Sequence, residues 1–377
     1  MMLAETLEST VIKKNVLVIF GTRPEAIKMC PVIQALESCE SFRVTVCVTG
    51  QHLKLLQQVL DVFHVIPDYS LSIMTDNQTL TYITISILEK LKPVLEQEAP
   101  DFVLVHGDTT TTFATSLACY YMNIPVGHIE AGLRTYNTQS PYPEEFNRQA
   151  VGIIADYHFS PTELAQQNLL KEGKESSKIF VTGNTVIDAL QSTIREDYEH
   201  PDLKWAENSR LILLTAHRRE NLGEPLRNIF NAINKITETY DDVKIIYPVH
   251  PNPKVRSTAY NVFKNNQKVK LIEPLDVLDF HNFMKHSYMI LTDSGGVQEE
   301  APSLGKPLLV LRDVTERPEG VEAGVSLLVG TDYKKIYLEC CNLLDNVNTY
   351  NKMSKKKNPY GDGTASKQIV EIIKTVL

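Results

Sequence analysis

The sequence predicts an α/β protein made of two doubly wound, Rossmann-like domains. Three observations predict it. Short, nearly continuous apolar runs alternate with helix-compatible segments, the pattern of parallel strands covered on both faces. This alternation closes near residue 181 and restarts near residue 211, so there are two consecutive α/β sets. The chain also has 377 residues, more than one ordinary domain accommodates.

The first strand is Asn15–Phe20, stopped by Gly21-Thr22-Arg23-Pro24-Glu25-Ala26-Ile27-Lys28. Gly21 turns the chain and Pro24 suits the start of a helix. Val44–Thr49 follows and ends in Gly50-Gln51-His52; Thr79–Gln97 reads as helix. Phe102–His106 ends in Gly107-Asp108 and a threonine run, and Pro125–Ile129 ends in Glu130-Ala131-Gly132-Leu133-Arg134. After the loop 136–143 and Glu144-Glu145-Phe146-Asn147-Arg148, Tyr157–Ser160 and Lys178–Val181 bring the first set to six strands.

The second set opens with Leu211–Ala216, ending in His217-Arg218-Arg219-Glu220-Asn221. Val243–Pro248 and Val269–Ile272 come next, then Tyr288–Thr292, Leu308–Leu311 and Val325–Val329. The expected boundary lies at Val181-Thr182-Gly183-Asn184, giving an N-terminal domain over 1–181 and a second over 182–363. A closing helix, Thr364–Leu377, is expected to pack back on the first domain.

Composition excludes several classes. The chain is 43% hydrophobic and 22% charged, with net charge −8 and no basic run, so no nucleic-acid surface is expected. No run of about 18 apolar residues exists to span a membrane. Met1–Lys14 is polar and lacks the apolar core of a signal peptide, which points to the cytoplasm. The six cysteines show no metal spacing, and reduced, buried thiols are expected.

Polar residues gather at strand C-termini, where parallel sheets bind ligands. Asp293-Ser294-Gly295-Gly296-Val297-Gln298-Glu299-Glu300 turns a strand into a helix. Such a start aims backbone N–H groups at an anion, and the glycines let a phosphate approach. Glu299 and Glu300 are expected in the first helical turn. Arg312 and Arg317 flank acids after the next strand. Taken alone, the stretch also reads as an acid-capped turn, Asp108 as a helix cap, and His217 as a structural histidine. The pairs His106-x-Asp108 and His128-x-Glu130, with His217 and His250, raise a metal site as a rival. There is no His-Glu-x-x-His, no cysteine pair, no Gly-x-Gly-x-x-Gly after the first strand and no Walker loop.

Gly21–Lys28, His106–Thr109, His128–Thr135, Ser140–Glu145, Thr215–Asn221, Asp293–Glu300 and Thr315–Glu319, in that order, resemble the non-hydrolysing UDP-N-acetylglucosamine 2-epimerases of bacteria. The match runs from about Asn15 to Gly330. The resemblance implies the GT-B fold, two such domains facing across a cleft. It implies interconversion of UDP-GlcNAc and UDP-ManNAc, supplying N-acetylmannosamine for surface polymers, with no metal and no nicotinamide. It also implies a homodimer, with UDP-GlcNAc as activator as well as substrate. Asp108, Glu130 and Glu144 match the family's acid/base carboxylates and His217 its catalytic histidine. Arg23 and Lys28 match sugar-nucleotide contacts. Ser294, Gly295 and Gly296 match the diphosphate cradle, Glu300 the ribose contact, Arg317 a substrate arginine, and Phe280 the residue near uracil. Gln51 and His52 resemble part of the activating site. The pattern departs at Asn77, where many relatives carry arginine or glycine. A hydrolysing 2-epimerase, a GT-B glycosyltransferase and a non-catalytic UDP-sugar sensor are the alternative readings.

Overall fold

The computed structural model describes residues 13–50, 53–75 and 78–377. The chain forms two compact units. One runs up to Thr182 and includes Ser366–Leu377; the other is Gly183–Ala365.

The first unit contains β1 (Lys14–Phe20), α1 (Arg23–Glu37), β2 (Phe42–Val48), α2 (Leu53–Phe63), β3 (Tyr69–Ser70), α3 (Leu80–Glu98) and β4 (Phe102–His106). It continues through α4 (Thr110–Tyr121), β5 (Val126–Ile129), α5 (Glu144–Ile154), β6 (Tyr157–Ser160), α6 (Glu163–Lys171) and β7 (Ile179–Val181). Its strands lie in the order β3-β2-β1-β4-β5-β6-β7, all pairs parallel, with Val16, Leu17 and Val18 of β1 opposite Phe102, Val103 and Leu104 of β4. The apolar runs explain the burial. Leu17, Ile19, Val103 and Val105 pack on Ile83, Ile87 and Leu91 of α3 and on Ala114 of α4. The alternate residues Val16, Val18 and Phe20 are equally buried.

The six expected strands are joined by a seventh, β3, next to β2. At two residues it carries no period to recognise. It is held from outside, because the Asp68 carboxylate accepts a hydrogen bond from the Val46 amide at 2.8 Å.

The second unit contains α7 (Thr185–Thr193), α8 (Pro201–Trp205), β8 (Arg210–Thr215), α9 (Glu224–Thr239), β9 (Val243–Pro248), α10 (Pro253–Phe263), β10 (Val269–Ile272) and α11 (Val277–His286). Then come β11 (Met289–Thr292), α12 (Gly295–Glu300), β12 (Leu308–Val310), α13 (Pro318–Glu322), β13 (Ser326–Leu328), α14 (Tyr333–Asp345) and α15 (Val347–Ser354); α16 (Ala365–Val376) follows. The order is β10-β9-β8-β11-β12-β13. Leu226, Ile229, Phe230, Ile233 and Ile236 form one stripe of α9 at helical spacing and cover Ile212, Leu214 and Ile245. On the other face Phe283, Met284 and Leu190 cover Leu213, Ile246 and Ile290. Both sheets are thus covered on both sides, two Rossmann-like units as in the GT-B fold.

Each strand order reverses at one place, between β1 and β4 in the first unit and between β8 and β11 in the second. The loops diverge there and leave a crevice beyond the strand ends.

Candidate active site

The first-unit crevice is built on two fixed turns. After β1, Thr22 caps α1 and Glu25 reaches back in a capping box. The buried Glu25 carboxylate accepts from the amides of Gly21 (3.1 Å) and Thr22 (2.7 Å) and from the Thr109 hydroxyl (2.7 Å). It therefore ties the turn after β1 to the start of α4. Burial raises its pKa. Arg23 and Lys28 lie on α1 as a result: Arg23 opens the helix half-buried, and Lys28 is buried.

After β4, Gly107 adopts φ +69°, a left-handed turn that suits glycine. Its carbonyl accepts from His128 Nε2 at 2.7 Å, and the Asp108 carbonyl accepts from Asn147 Nδ2 at 2.8 Å. The Asp108 side chain is not the helix cap. Thr109 takes that place, its hydroxyl accepting the Thr112 amide at 3.1 Å, and this frees the Asp108 carboxylate to face Arg148 at 3.3 Å. Arg148 in turn meets the fully buried Glu145 at 3.2 Å. Glu145 also accepts from the amides of Thr135 and Tyr136 (both 2.9 Å) and so holds the loop before α5.

Desolvation is the main cause pushing the Asp108 pKa up to about 6; Arg148 opposes it, while Glu130 and Glu144 add to it. A carboxylate so placed exchanges protons near neutrality. Glu130 follows β5 in a left-handed conformation, φ +62°, which a side chain adopts only under local constraint. Its carboxylate is ion-paired with Lys28 and lies 3.7 Å from His106 Nε2. Glu144 opens α5, half-buried. Lys28, Asp108, Glu130 and Glu144 therefore share the strand-end edge of this unit.

In the second unit Asp293, after β11, organises the crevice. One of its oxygens accepts from the amides of His217 and Arg218 (2.8 Å each) and from Asn221 Nδ2 at 3.0 Å. His217 Nδ1 lies 3.5 Å from the other oxygen, and its ring stacks on His250 at 5.1 Å and 9°. Burial lowers the His217 pKa, with Asp293 opposing, so the ring is held neutral and can act as a base. Next in the chain, Ser294 occupies the N-cap of α12, and its side chain makes no capping hydrogen bond to the first amides of that helix.

Arg317 lies against this turn. A Cβ on Gly295 would sit 2.7 Å from Arg317 Nη1, so the glycine makes room for the guanidinium. Arg317 bonds Glu299 at 2.7 Å and Glu316 at 2.9 Å. Glu299 also receives Asn184 Nδ2 at 3.1 Å. Glu299 and Glu300 are in the second turn of α12, not the first, because the helix already starts at Gly295. Glu300 Oε2 lies 3.6 Å from His281 Nε2 on α11, and Phe280 is half-buried on the same helix.

Glu25, Glu145, Arg148, Asp293 and Glu299 are supporting residues to which the sequence assigned no such role, and His106, read there only as half of a metal-site pair, is another. Arg148 was within reach, since it lies four residues after Glu144 on one helical face. Gln51, His52 and Asn77 lie outside the described residues. Among the described residues no three His, Cys, Asp or Glu side chains converge as a metal-ligand set, and no helix is long and apolar enough to cross a membrane.

A model of the UDP-N-acetylglucosamine 2-epimerase family matches residues 34–374. The chain belongs to the UDP-N-acetylglucosamine 2-epimerase family. Within this family, it is 58% identical over 359 residues to the UDP-N-acetylglucosamine 2-epimerase of Bacillus subtilis strain 168, covering 95% of this chain and 94% of the relative. The crystal structure of a Listeria monocytogenes relative superposes with a TM-score of 0.93 at 52% identity, covering 97% of each chain. The Neisseria meningitidis UDP-GlcNAc 2-epimerase, a family structure bound to UDP-GlcNAc, gives a TM-score of 0.87 at 50% identity over 96% of this chain and all of that one.

Proposed function

We propose that the chain interconverts UDP-GlcNAc and UDP-ManNAc without hydrolysis, supplying N-acetylmannosamine units for cell-surface polysaccharide. The observation that carries the reading is the acid edge of the first unit, where the Asp108 pKa stands at about 6 and Glu130 is ion-paired with Lys28.

The chemistry requires such groups. Carbon 2 bears nitrogen and has no adjacent carbonyl, so its hydrogen is barely acidic. Breaking the bond from carbon 1 to the UDP oxygen makes that hydrogen acidic, and a carboxylate then removes it. UDP and 2-acetamidoglucal result. Re-addition of UDP with protonation on the opposite face gives the epimer. Electrons balance within the cycle, so no redox partner is needed. Two faces require more than one proton-transfer group, and Asp108, Glu130, Glu144 and His217 fill these roles. Arg23 and Lys28 contact the sugar nucleotide from the first unit. From the second, Ser294, Gly295, Gly296 and Arg317 take the diphosphate, Glu300 the ribose and Phe280 the uracil. Gln51 and His52 contribute to an activating UDP-GlcNAc site.

The chain is proposed to act as a homodimer. α4 packs between α3 and α5, and this layer leaves Ile85, Tyr121, Phe146 and Ile153 exposed, the last at 76%. A second copy would cover such a face.

Reaction of UDP-GlcNAc in heavy water tests the mechanism. The expected product is UDP-ManNAc carrying deuterium at carbon 2, with UDP and the glycal accumulating slowly. Free N-acetylmannosamine as main product would mark the hydrolysing reaction, and transfer to an added acceptor a glycosyltransferase. Epimer without deuterium would rule out elimination.

A further inference from the structure

We propose that His106 is a positioning residue for Glu130, and that it takes over this carboxylate when the sugar nucleotide draws Lys28 away. The inference rests on the reading above, in which Glu130 moves a proton and Lys28 contacts the ligand.

The geometry gives Glu130 two partners on one oxygen. Oε2 is ion-paired with Lys28 Nζ on α1, and it lies 3.7 Å from His106 Nε2 at the end of β4. That second separation is too long for a hydrogen bond. His106 is only 4% exposed, yet neither ring nitrogen has a hydrogen-bond partner. A buried imidazole left in that state is unusual and unfavourable. One N–H is therefore aimed at a carboxylate that another group holds.

The backbones around this pair are fixed. The Gly107 amide bonds the Ile129 carbonyl at 2.9 Å. His128 Nε2 holds the Gly107 carbonyl. The Thr112 hydroxyl bonds the His106 carbonyl at 2.5 Å. Lys28 reaches the carboxylate on a long stem of rotatable bonds, so its ammonium can shift while these backbones stay in place.

The two partners act differently on Glu130. An ammonium stabilises the ionised carboxylate strongly and makes it a weak base. A neutral imidazole orients the same oxygen through one hydrogen bond and depresses its basicity less. Burial lowers the His106 pKa to about 4, so the ring stays neutral. Other charged or titratable groups near the pair include Asp108 after β4, His128 on β5, Arg134 beside His128, and Glu144 and Arg148 on α5 beside Asp108. Exchange of Lys28 for His106 thus makes Glu130 basic only when the site is loaded. His106 keeps its proton throughout.

Two variants of the full chain test this. His106→Gln keeps an N–H near the position of Nε2; His106→Met fills the space without one. The kcat and KM for UDP-GlcNAc are measured from pH 5.5 to 9, with urea unfolding as the control for folding. In the Met variant the acid limb of the kcat profile moves up by about one unit. kcat below the limb then falls about tenfold, because one unit is tenfold in the fraction of active base. KM changes little, and the Gln variant brings the limb back. Equal losses in both variants with the limb unmoved would mean a structural role and overturn the proposal. A second measurement needs no Met variant. In the wild type labelled with 15N-histidine, the His106 Nε2 signal, assigned by its loss in His106→Gln, shifts into the hydrogen-bonded range on adding UDP-GlcNAc. An unmoved signal overturns the proposal as well. If the wild type itself makes no UDP-ManNAc in these assays, the functional reading fails, which is a separate result.

Discussion

Asp108→Asn should make the first unit more stable while removing turnover. The folded pKa of Asp108 stands at about 6 against an ordinary 3.8. A carboxyl whose pKa is raised on folding contributes stability below its unfolded value, and loses it as pH rises through the folded value. The full difference, about two units, amounts to about 3 kcal/mol. The side chain keeps 29% exposure, so solvent screening trims this, and about 1–2 kcal/mol should separate pH 4.5 from pH 8. Asparagine removes the ionisation and still offers an oxygen to Arg148, which also retains Glu145. The variant should therefore match the wild type near pH 4.5 and exceed it by that amount at pH 8. Urea unfolding at both pH values reads this, with each transition fitted separately because two units need not unfold together. UDP should still bind, while epimer formation is lost. A variant destabilised equally at both pH values would refute the reasoning.

Three other outcomes are expected. Arg317→Ala should weaken UDP by about 1.5–3 kcal/mol, the range of a charge-assisted contact, and calorimetry with unchanged affinity would remove Arg317 from the site. If UDP-GlcNAc is also an activator, reaction from pure UDP-ManNAc should start with a lag that added UDP-GlcNAc abolishes; a progress curve linear from the start counts against it. Ile153→Asp should yield a monomer by light scattering if the α3–α4–α5 layer is the dimer face; an undisturbed dimer places the interface elsewhere.

The strands were legible because their apolar runs, such as Asn15–Phe20 and Leu211–Thr215, are buried on both faces. The crevice was legible for a related reason, since parallel strands put their ligand groups at the ends of those runs. The supporting set was not. Lys28 meets Glu130 across 102 residues, and His106 meets Glu130 only because β4 pairs with β5. Asp108 illustrates the limit: beside a threonine run it reads as a cap, and only its burial next to Glu130 and Glu144, which lie on other elements, raises its pKa toward neutrality. Gly295 carries a second constraint that the sequence did not show, since a Cβ there would sit 2.7 Å from Arg317 Nη1.

The interleaving of the two units has a consequence for synthesis. Residues Ser366–Leu377 belong with the first unit, and Ile369, Val370 and Ile373 of α16 are buried. The ribosome reaches α16 only after translating all of Gly183–Ala365. At the usual 5–20 residues per second this is an interval of roughly 10–40 s. Throughout it the first unit has all seven strands of its sheet but lacks one helix, and presents apolar surface to chaperones and to neighbouring nascent chains. The acid edge that β1, β4 and β5 carry is thus assembled on a unit that cannot finish folding until the other has been made.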